Sequence, residues 1–332
     1  MRKLTLVVII LGTLWGGYWF VGSGTVERQL AGWIEARRAE GWVAEYAALN
    51  TRGFPNRFDT TITDLRLADP DTGLAWAMPF FQILSLSYKP NHIVAVWPDR
   101  QVFATPFERV VVASDSIQGS LIFDPGPGLA LNRTDLVGER LALSGATGWA
   151  ARLDEARLAL HRADGDNTYR FGAEMVALTL PDAMRQAIDP AGSLPDAIDT
   201  MRIDAMIAFD RPWDRFSVEQ ARPQPVEIDL TDLQASWGRL DLRAAGRLAI
   251  DPRGVPEGEI TIRATNWRDL LQVLVASGAL PAILAPAVAR ALDLLAGLAG
   301  NPDTLDAPLT FSGGRVLLGP VPLGASPYIF LR

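Results

Sequence analysis

The chain has 332 residues, 48% of them hydrophobic and 21% charged, a composition typical of a globular protein with a sizeable core. Its net charge is −7 and no basic stretch follows the N-terminus, so we expect no nucleic-acid partner. Cysteine is absent, which excludes disulfides, a thiol nucleophile and cysteine metal ligands. The two histidines, His92 and His161, are far apart in the sequence, and we predict neither a metal site nor a cofactor.

The first 26 residues, MRKLTLVVIILGTLWGGYWFVGSGTV, predict a membrane anchor. Arg2 and Lys3 precede an apolar stretch, Leu4–Val21, which is long enough to cross a hydrocarbon layer of about 30 Å. The far end of this stretch carries the aromatic residues that favour a membrane interface: Trp15, Tyr18, Trp19 and Phe20. The basic flank predicts a cytoplasmic N-terminus. We therefore expect a single-pass inner-membrane protein with its main body in the periplasm.

A cleaved signal peptide is the alternative for this segment. Val21-Gly22-Ser23 offers small residues for cleavage, although the segment has no A-x-A sequence. The apolar core is longer than that of a usual signal peptide and ends in bulky aromatic residues. The retained anchor is therefore favoured, and both interpretations place the body outside the inner membrane.

The sequence predicts three segments. Residues 1–26 are the cytoplasmic tip and the transmembrane anchor. Residues 27–41 are an amphipathic helix, in which Leu30 and Ile34 share an apolar face. Residues 42–332 are a β-rich periplasmic domain, in which two similar halves would meet near 211–225.

Apolar and polar residues alternate along much of the β-rich segment. Met201–Phe209 and Leu240–Ile250 show the pattern, which is typical of antiparallel strands with one buried face and one wet face. The predicted fold is mainly β with a minority of helix. It is a long, twisted and bulged antiparallel sheet that follows an N-terminal transmembrane helix.

A helical pair is predicted near the C-terminus, where the period of the pattern changes. Asn266 is a candidate N-cap for the segment WRDLLQVLVAS, and Gly278 follows that segment as a helix terminator. Pro281–Leu298 is predicted to be the second helix, with a bend or break at Pro286.

Two predicted strands change face halfway along their length. The apolar positions of each strand continue one residue out of step, at Thr63-Asp64 in the first and at Thr231-Asp232 in the second. A strand that keeps one face buried absorbs such a slip with a β-bulge. We therefore predict bulges at Asp64 and Asp232, where an aspartate can bond a nearby backbone N–H. Gly53, Phe54 and Pro55 are predicted to form the turn before the first of these strands.

Several motifs resemble those of the alphaproteobacterial domain-of-unknown-function 2125 family. They are RGFPNRFD, WAMPF, SYKPNHIVAVWP and LTFSGGRVLLGPVPLG, and the resemblance covers most of the chain after the anchor. These motifs have structural roles, such as forming turns, and the resemblance implies no catalytic or binding residues. A looser similarity links GRLAIDPRGVPEGEITIRA to AsmA-like envelope proteins. That similarity implies an inner-membrane anchor and a curled β-sheet that handles lipids.

The sequence favours a non-enzymatic function. Many predicted strands have an apolar face and few helices are available to cover it, so an apolar groove for a lipid is the first interpretation. Ala287, Leu292 and Leu295 are candidates to line or close that groove. A structural or protein-binding scaffold of the cell envelope with a closed core is the alternative, and a carboxylate-only hydrolase is the third. His92 and His161 are interpreted as surface or strand-edge residues.

Overall fold

The structure is a computed structural model of the 332-residue chain. It describes residues 1–190, 192, 194–219, 222–278, 280–298, 302–319 and 321–331. About half of the chain is strand and about a fifth is helix, which confirms the predicted mainly β fold with an N-terminal helix and helices near the C-terminus.

The helices differ greatly in length. They are α1 (Arg2–Ala39), α2 (Asp182–Ile188), α3 (Phe216–Glu219), α4 (Trp267–Ala276) and α5 (Ala285–Leu298). The anchor and the amphipathic segment, separated in the sequence at residue 26, form one continuous helix. Its face toward the body includes Trp19, Ser23 and Ile34, which are buried and follow the helical period.

The strands are antiparallel throughout the described pairings. The first nine are β1 (Val43–Glu45), β2 (Ala48–Arg52), β3 (Arg57–Asp69), β4 (Leu74–Leu86), β5 (Lys89–Trp97), β6 (Arg100–Ala104), β7 (Arg109–Ala113), β8 (Ser116–Phe123) and β9 (Leu131–Gly145). The others are β10 (Ala150–Arg162), β11 (Thr168–Thr179), β12 (Ala197–Phe209), β13 (Pro225–Trp237), β14 (Leu240–Ile250), β15 (Pro256–Thr265), β16 (Thr304–Ser312), β17 (Arg315–Leu318) and β18 (Val321–Ala325).

The chain divides into two compact units. The N-terminal unit comprises Met1–Pro125 and Leu136–Gly148, and the C-terminal unit comprises Gly126–Asp135 and Trp149–Arg332. The sequence placed a junction near 211–225 instead. The strands on either side of that segment, β12 and β13, pair with each other within the C-terminal unit.

In the N-terminal unit, β3 is the central strand. It pairs with β1 and β2 on one side and with β4 on the other. Strand β4 then pairs with β5 along one part of its length and with β6 along another. The backbone N–H of Thr51 in β2 donates to the Glu27 carboxylate of α1, at 2.6 Å. The helix therefore covers the exposed edge of β2, which would otherwise present unpaired backbone groups.

At Asp64 the strand changes face without a change of register. The register continues across this residue, as the flanking pairs show: Thr63 with Phe80 and Leu65 with Met78. Asp64 lies opposite Pro79 and has φ = 50°. Because both strands slip together, their apolar side chains stay in one buried cluster. The bulge predicted at Asp64 is therefore wrong. The apolar side chains of β3 and of β4 change face at the same level, so neither strand has an extra residue.

In the C-terminal unit, the strands β10 to β18 pair in chain order as a meander. A β-bulge is present in β13, where Leu230 faces Gly246 and Leu233 faces Ala244 of β14. Thr231 and Asp232 thus lie opposite one residue. Among the described residues, no hydrogen bond to the Asp232 carboxylate is found, so the bulge does not depend on the side-chain bond that the sequence suggested.

Candidate functional site

Helices α4 and α5 lie over one face of the sheet in the C-terminal unit. The apolar residues of α4 recur at helical spacing: Trp267, Leu270, Leu271 and Leu274. Asn266 precedes the helix with φ = 55°, and its amide Nδ2 donates to the carbonyl of Arg239 instead of capping the helix. Gly278 ends the segment with φ = 76°, a conformation that glycine adopts without strain.

Helix α5 begins later than the sequence predicted. It starts at Ala285, so Pro286 lies in its first turn. Proline is tolerated there because the first backbone N–H groups of a helix have no intrahelical partner. The helical segment predicted to begin at Pro281 therefore begins beside Pro286, which lies at the start of α5 and not at a bend or break within it.

The two helices and the sheet enclose the largest buried apolar cluster among the described residues. Trp267 is 1% exposed and Val288 is 2% exposed. The indole Nε1 of Trp267 donates to the carbonyl of Pro302 at 3.1 Å. Nε1 is the only polar atom of this side chain. Because it already forms a hydrogen bond, Trp267 presents only apolar surface to its other neighbours.

An apolar cavity of about 230 Å³ lies within this cluster. Its lining contains no charged or amide side chain and consists of Ile262, Trp267, Leu270, Leu271, Leu274, Leu280, Val288, Leu292, Leu305, Leu309, Leu318 and Leu323. An apolar cavity of about 150 Å³ in another protein stays dry and binds small hydrocarbons. This cavity is larger, and it offers a ligand only dispersion and the hydrophobic effect.

A second cavity, of about 480 Å³, lies beside the first and has a mixed lining. It is bounded by the end of α2 and by α4 and α5. Its polar side chains are Asp189, Asp269 and Gln272. Asp269 forms an ion pair with Arg239, 2.7 Å between Oδ2 and Nε. Leu271 lines both cavities, so this one side chain is part of the partition between an apolar space and a more polar one.

The three residues predicted from the sequence to line the groove lie in different environments. Leu292 lines the apolar cavity and is 4% exposed. Ala287 is exposed on the outer surface of α5, and the side chain of Leu295 lies outside the described part of the structure. Val288 was missed, although it is four residues before Leu292 and therefore on the same face of the helix. This spacing of four residues is the feature of the sequence that could have identified Val288.

The turn residues Gly53, Phe54 and Pro55 lie in the N-terminal unit, between β2 and β3. Gly53 has φ = 104°, and a β-carbon there would stand 2.7 Å from the β-carbon of Arg57. Only glycine therefore fits this position without strain. The turn packs against α1 and takes no part in the cavities of the C-terminal unit.

His161 pairs with the carboxylate of Asp135 on β9. Its Nε2 lies 2.7 Å from Oδ1 of Asp135, and Nε of Arg133 donates to Oδ2 of the same residue at 2.6 Å. Partial burial raises the pKa of Asp135, but the bonds from Arg133 and His161 outweigh it and hold this pKa below its ordinary value. Such a carboxylate stays ionised at neutral pH and serves as an ion-pair partner.

His92 has a neutral partner, with its Nε2 3.1 Å from the hydroxyl of Ser120. Within the part of the chain that the structure describes, no group of three or more His, Asp or Glu side chains is arranged to hold a metal ion. The described site with the most distinctive chemistry is therefore the apolar cavity under α4 and α5.

Helix α1 is long and apolar enough to cross a membrane, and little of its apolar part is buried against the rest of the protein. No curated protein and no solved structure matches the chain. The family model for uncharacterized proteins conserved in bacteria, DUF2125, matches residues 19–327. This match includes the last part of α1 and nearly all of both units, and the chain therefore belongs to the DUF2125 family.

Proposed function

We propose that this protein is a membrane-anchored lipid-binding protein that takes an acyl chain into the apolar cavity under α4 and α5. The observation that carries the proposal is the lining of that cavity, which is entirely apolar over about 230 Å³. A polar head group would lie in the neighbouring cavity, beyond Leu271, where Asp189, Asp269 and Gln272 supply hydrogen-bonding partners. The proposed activity is binding without catalysis.

The proposed location is the inner membrane, with a cytoplasmic N-terminus and a periplasmic body. Arg2 and Lys3 before the apolar stretch support this orientation. Packing supports a retained anchor, because Trp19 is 6% exposed and its Nε1 donates to the carbonyl of Arg57 at 2.7 Å. Cleavage near Gly22 would remove this residue from the N-terminal unit. An intact mass that lacks the first 22 or so residues would contradict the retained anchor.

Native mass spectrometry of the detergent-solubilised full chain, with lipid analysis of the same sample, tests the lipid proposal. We expect the wild type to carry adducts of lipid mass. Val288→Phe should abolish them, because the larger ring occupies the cavity that Val288 lines. Val316→Phe is the matched control, since Val316 is also a buried valine but does not line the cavity. Adducts that survive Val288→Phe, or a wild type without adducts, would contradict lipid binding at this site.

An envelope scaffold is the second candidate function. The outer surface near α5 supports it, because Ile283 is 87% exposed and Leu294 is 71% exposed. Exposed aliphatic side chains of this size are suited to a protein partner. A lipid-free wild type in which Val288→Phe raises the melting temperature would favour the scaffold, since the cavity would then be a packing defect.

A further inference from the structure

Two hairpin tips of the N-terminal unit pack against the anchor helix at the level of its aromatic residues. The first tip is Gly53–Asn56, between β2 and β3, and the second is Ser87–Tyr88, between β4 and β5. The ring of Phe54 stacks on the ring of Phe20, with 5.6 Å between centroids, and meets Trp19 edge-on at 5.4 Å. The position of α1 in a bilayer therefore also fixes the position of both tips.

The length of the free part of α1 determines how deep the tips lie. Lys3 ends the apolar stretch on one side. From Leu4 to Trp15 the helix rises about 16 Å, at about 1.5 Å per residue. This is roughly half of a hydrocarbon layer of about 30 Å. A helix that crosses the bilayer must therefore also use Trp15–Val21, and these are the residues that pack against the tips.

The backbone of the tips is suited to an environment without water. The indole of Trp15 donates to the carbonyl of Pro55 at 3.0 Å, and the indole of Trp19 donates to that of Arg57 at 2.7 Å. The hydroxyl of Tyr18 donates to the carbonyl of Ser87 at 2.5 Å. Irregular backbone at membrane depth requires such partners, because an unsatisfied carbonyl in hydrocarbon is costly. Three aromatic donors on one helix supply them.

The exposed side chains at the two tips are mainly aromatic, and exposed basic residues flank both tips. The exposed polar residue of the first tip, Asn56, accepts a hydrogen bond from the indole of Trp15 at 3.2 Å. Phe20 is 66% exposed, and Phe54 and Tyr88 are each 56% exposed. The exposed basic residues that flank the tips on the adjoining strands are Arg52, Arg57 and Lys89. Aromatic rings at the interface with cations at head-group level are the arrangement that binds membrane surfaces.

We propose that both hairpin tips, Gly53–Asn56 and Ser87–Tyr88, insert into the leaflet on the body side of the membrane, alongside residues 15–21 of α1. The protein then holds the membrane with a helix and two loops, and the N-terminal unit has a fixed height and tilt on the lipid surface. The occupant of the exposed aromatic patch is the acyl chains of that leaflet. This inference depends on the anchor and is independent of the cavity in the C-terminal unit.

Depth-dependent fluorescence quenching tests the proposal, and the absence of cysteine allows one label per variant. The full chain carrying Tyr88→Cys or Phe54→Cys is labelled with an environment-sensitive dye. Each variant is reconstituted into vesicles of phosphatidylethanolamine and phosphatidylglycerol with nitroxides on the acyl chains. Leu11→Cys is the control for an inserted helix. Thr72→Cys is the water control, since it lies in the turn at the far end of β3.

We expect the labels at positions 54 and 88 to behave like the label at 11. They should show blue-shifted emission, quenching by the acyl-chain nitroxides and several-fold weaker quenching by iodide than the label at 72. Phe54→Cys removes a ring contact with α1. If this variant does not fold, the Tyr88→Cys variant is sufficient for the test. A label at position 88 that iodide quenches as strongly as the label at 72 would overturn the proposal. A label at position 11 that lies outside the lipid would also overturn the proposal.

Discussion

Gly22 of α1 lies directly against the ring of Phe58 in β3. A β-carbon at position 22 would stand 2.6 Å from Cζ of that ring, and Phe58 is 4% exposed, so the ring has little room to move. The small residues between the anchor and the body, which the sequence suggested as a cleavage site, therefore have a packing role. They let α1 approach the central strand of the N-terminal unit.

Gly22→Leu is expected to destabilise the N-terminal unit by about 1–3 kcal/mol, because the added side chain overlaps a buried ring. Thermal unfolding of the detergent-solubilised protein measures the effect. Gly32→Leu is the control, since nothing lies within 4 Å of a β-carbon at that position. The control should be neutral or slightly stabilising, because leucine favours a helix more than glycine does. Equal melting temperatures for the two variants would contradict the packing role.

Trp19→Phe is expected to lower the free energy of unfolding by about 1–3 kcal/mol, because the buried indole of Trp19 is lost and the carbonyl of Arg57 loses its donor. Urea unfolding followed by circular dichroism provides the measurement. Trp33→Phe on the same helix is the comparison, since Trp33 is 47% exposed and should change stability little. If both substitutions cost the same, the bond to Arg57 does not stabilise the contact between α1 and the body.

Gly246→Ala is expected to cost about 3 kcal/mol or more. A β-carbon there would stand 2.2 Å from the carbonyl oxygen of Glu259, and this clash involves backbone, which cannot rotate away. Asp232→Val, on the other side of the same bulge, should change stability by less than about 0.5 kcal/mol, because its carboxylate accepts no hydrogen bond within the part of the chain that the structure describes. Chemical denaturation of both variants separates the two positions. The reverse order would show that the aspartate, and not the glycine, supports the bulge.

Asp204→Asn is expected to reduce the amount of stability that the protein loses as the pH falls into the acid range. A side-chain bond from Arg170 lowers the pKa of Asp204 and outweighs the opposing effect of burial. A carboxyl whose pKa is depressed on folding contributes stability above its unfolded pKa of about 3.9, and this stability is lost as the pH falls through the folded pKa. The variant should be less stable than the wild type at pH 7, and the difference should shrink below about pH 4.

Melting temperatures recorded across this range test the effect of Asp204. Asp166→Asn in an exposed turn is the control and should follow the wild type. A difference between Asp204→Asn and the wild type that stays constant from pH 7 to pH 3 would show that the ion pair with Arg170 does not drive it.

The sequence alone determined the features that depend on local periods. Alternation of apolar and polar residues predicts the strands, the helical period after Asn266 predicts α4, and the apolar run after Lys3 predicts an N-terminal helix long and apolar enough to cross a membrane. These patterns are visible because a side chain's face is set by its own segment's geometry.

Only the tertiary structure decided the features that depend on a partner far away in the sequence. Asp64 was predicted to be in a bulge, but the slip is absorbed because Pro79 in the next strand slips with it. Ala287, Leu292 and Leu295 were predicted to line the groove; Leu292 lines the cavity, but α5 turns Val288 inward and leaves Ala287 exposed. The aromatic residues at the end of the anchor looked like a simple interfacial belt, and their polar atoms instead bond two hairpin tips. In each case the deciding quantity is the space or the hydrogen-bond partner that another segment provides, and a local pattern does not contain it.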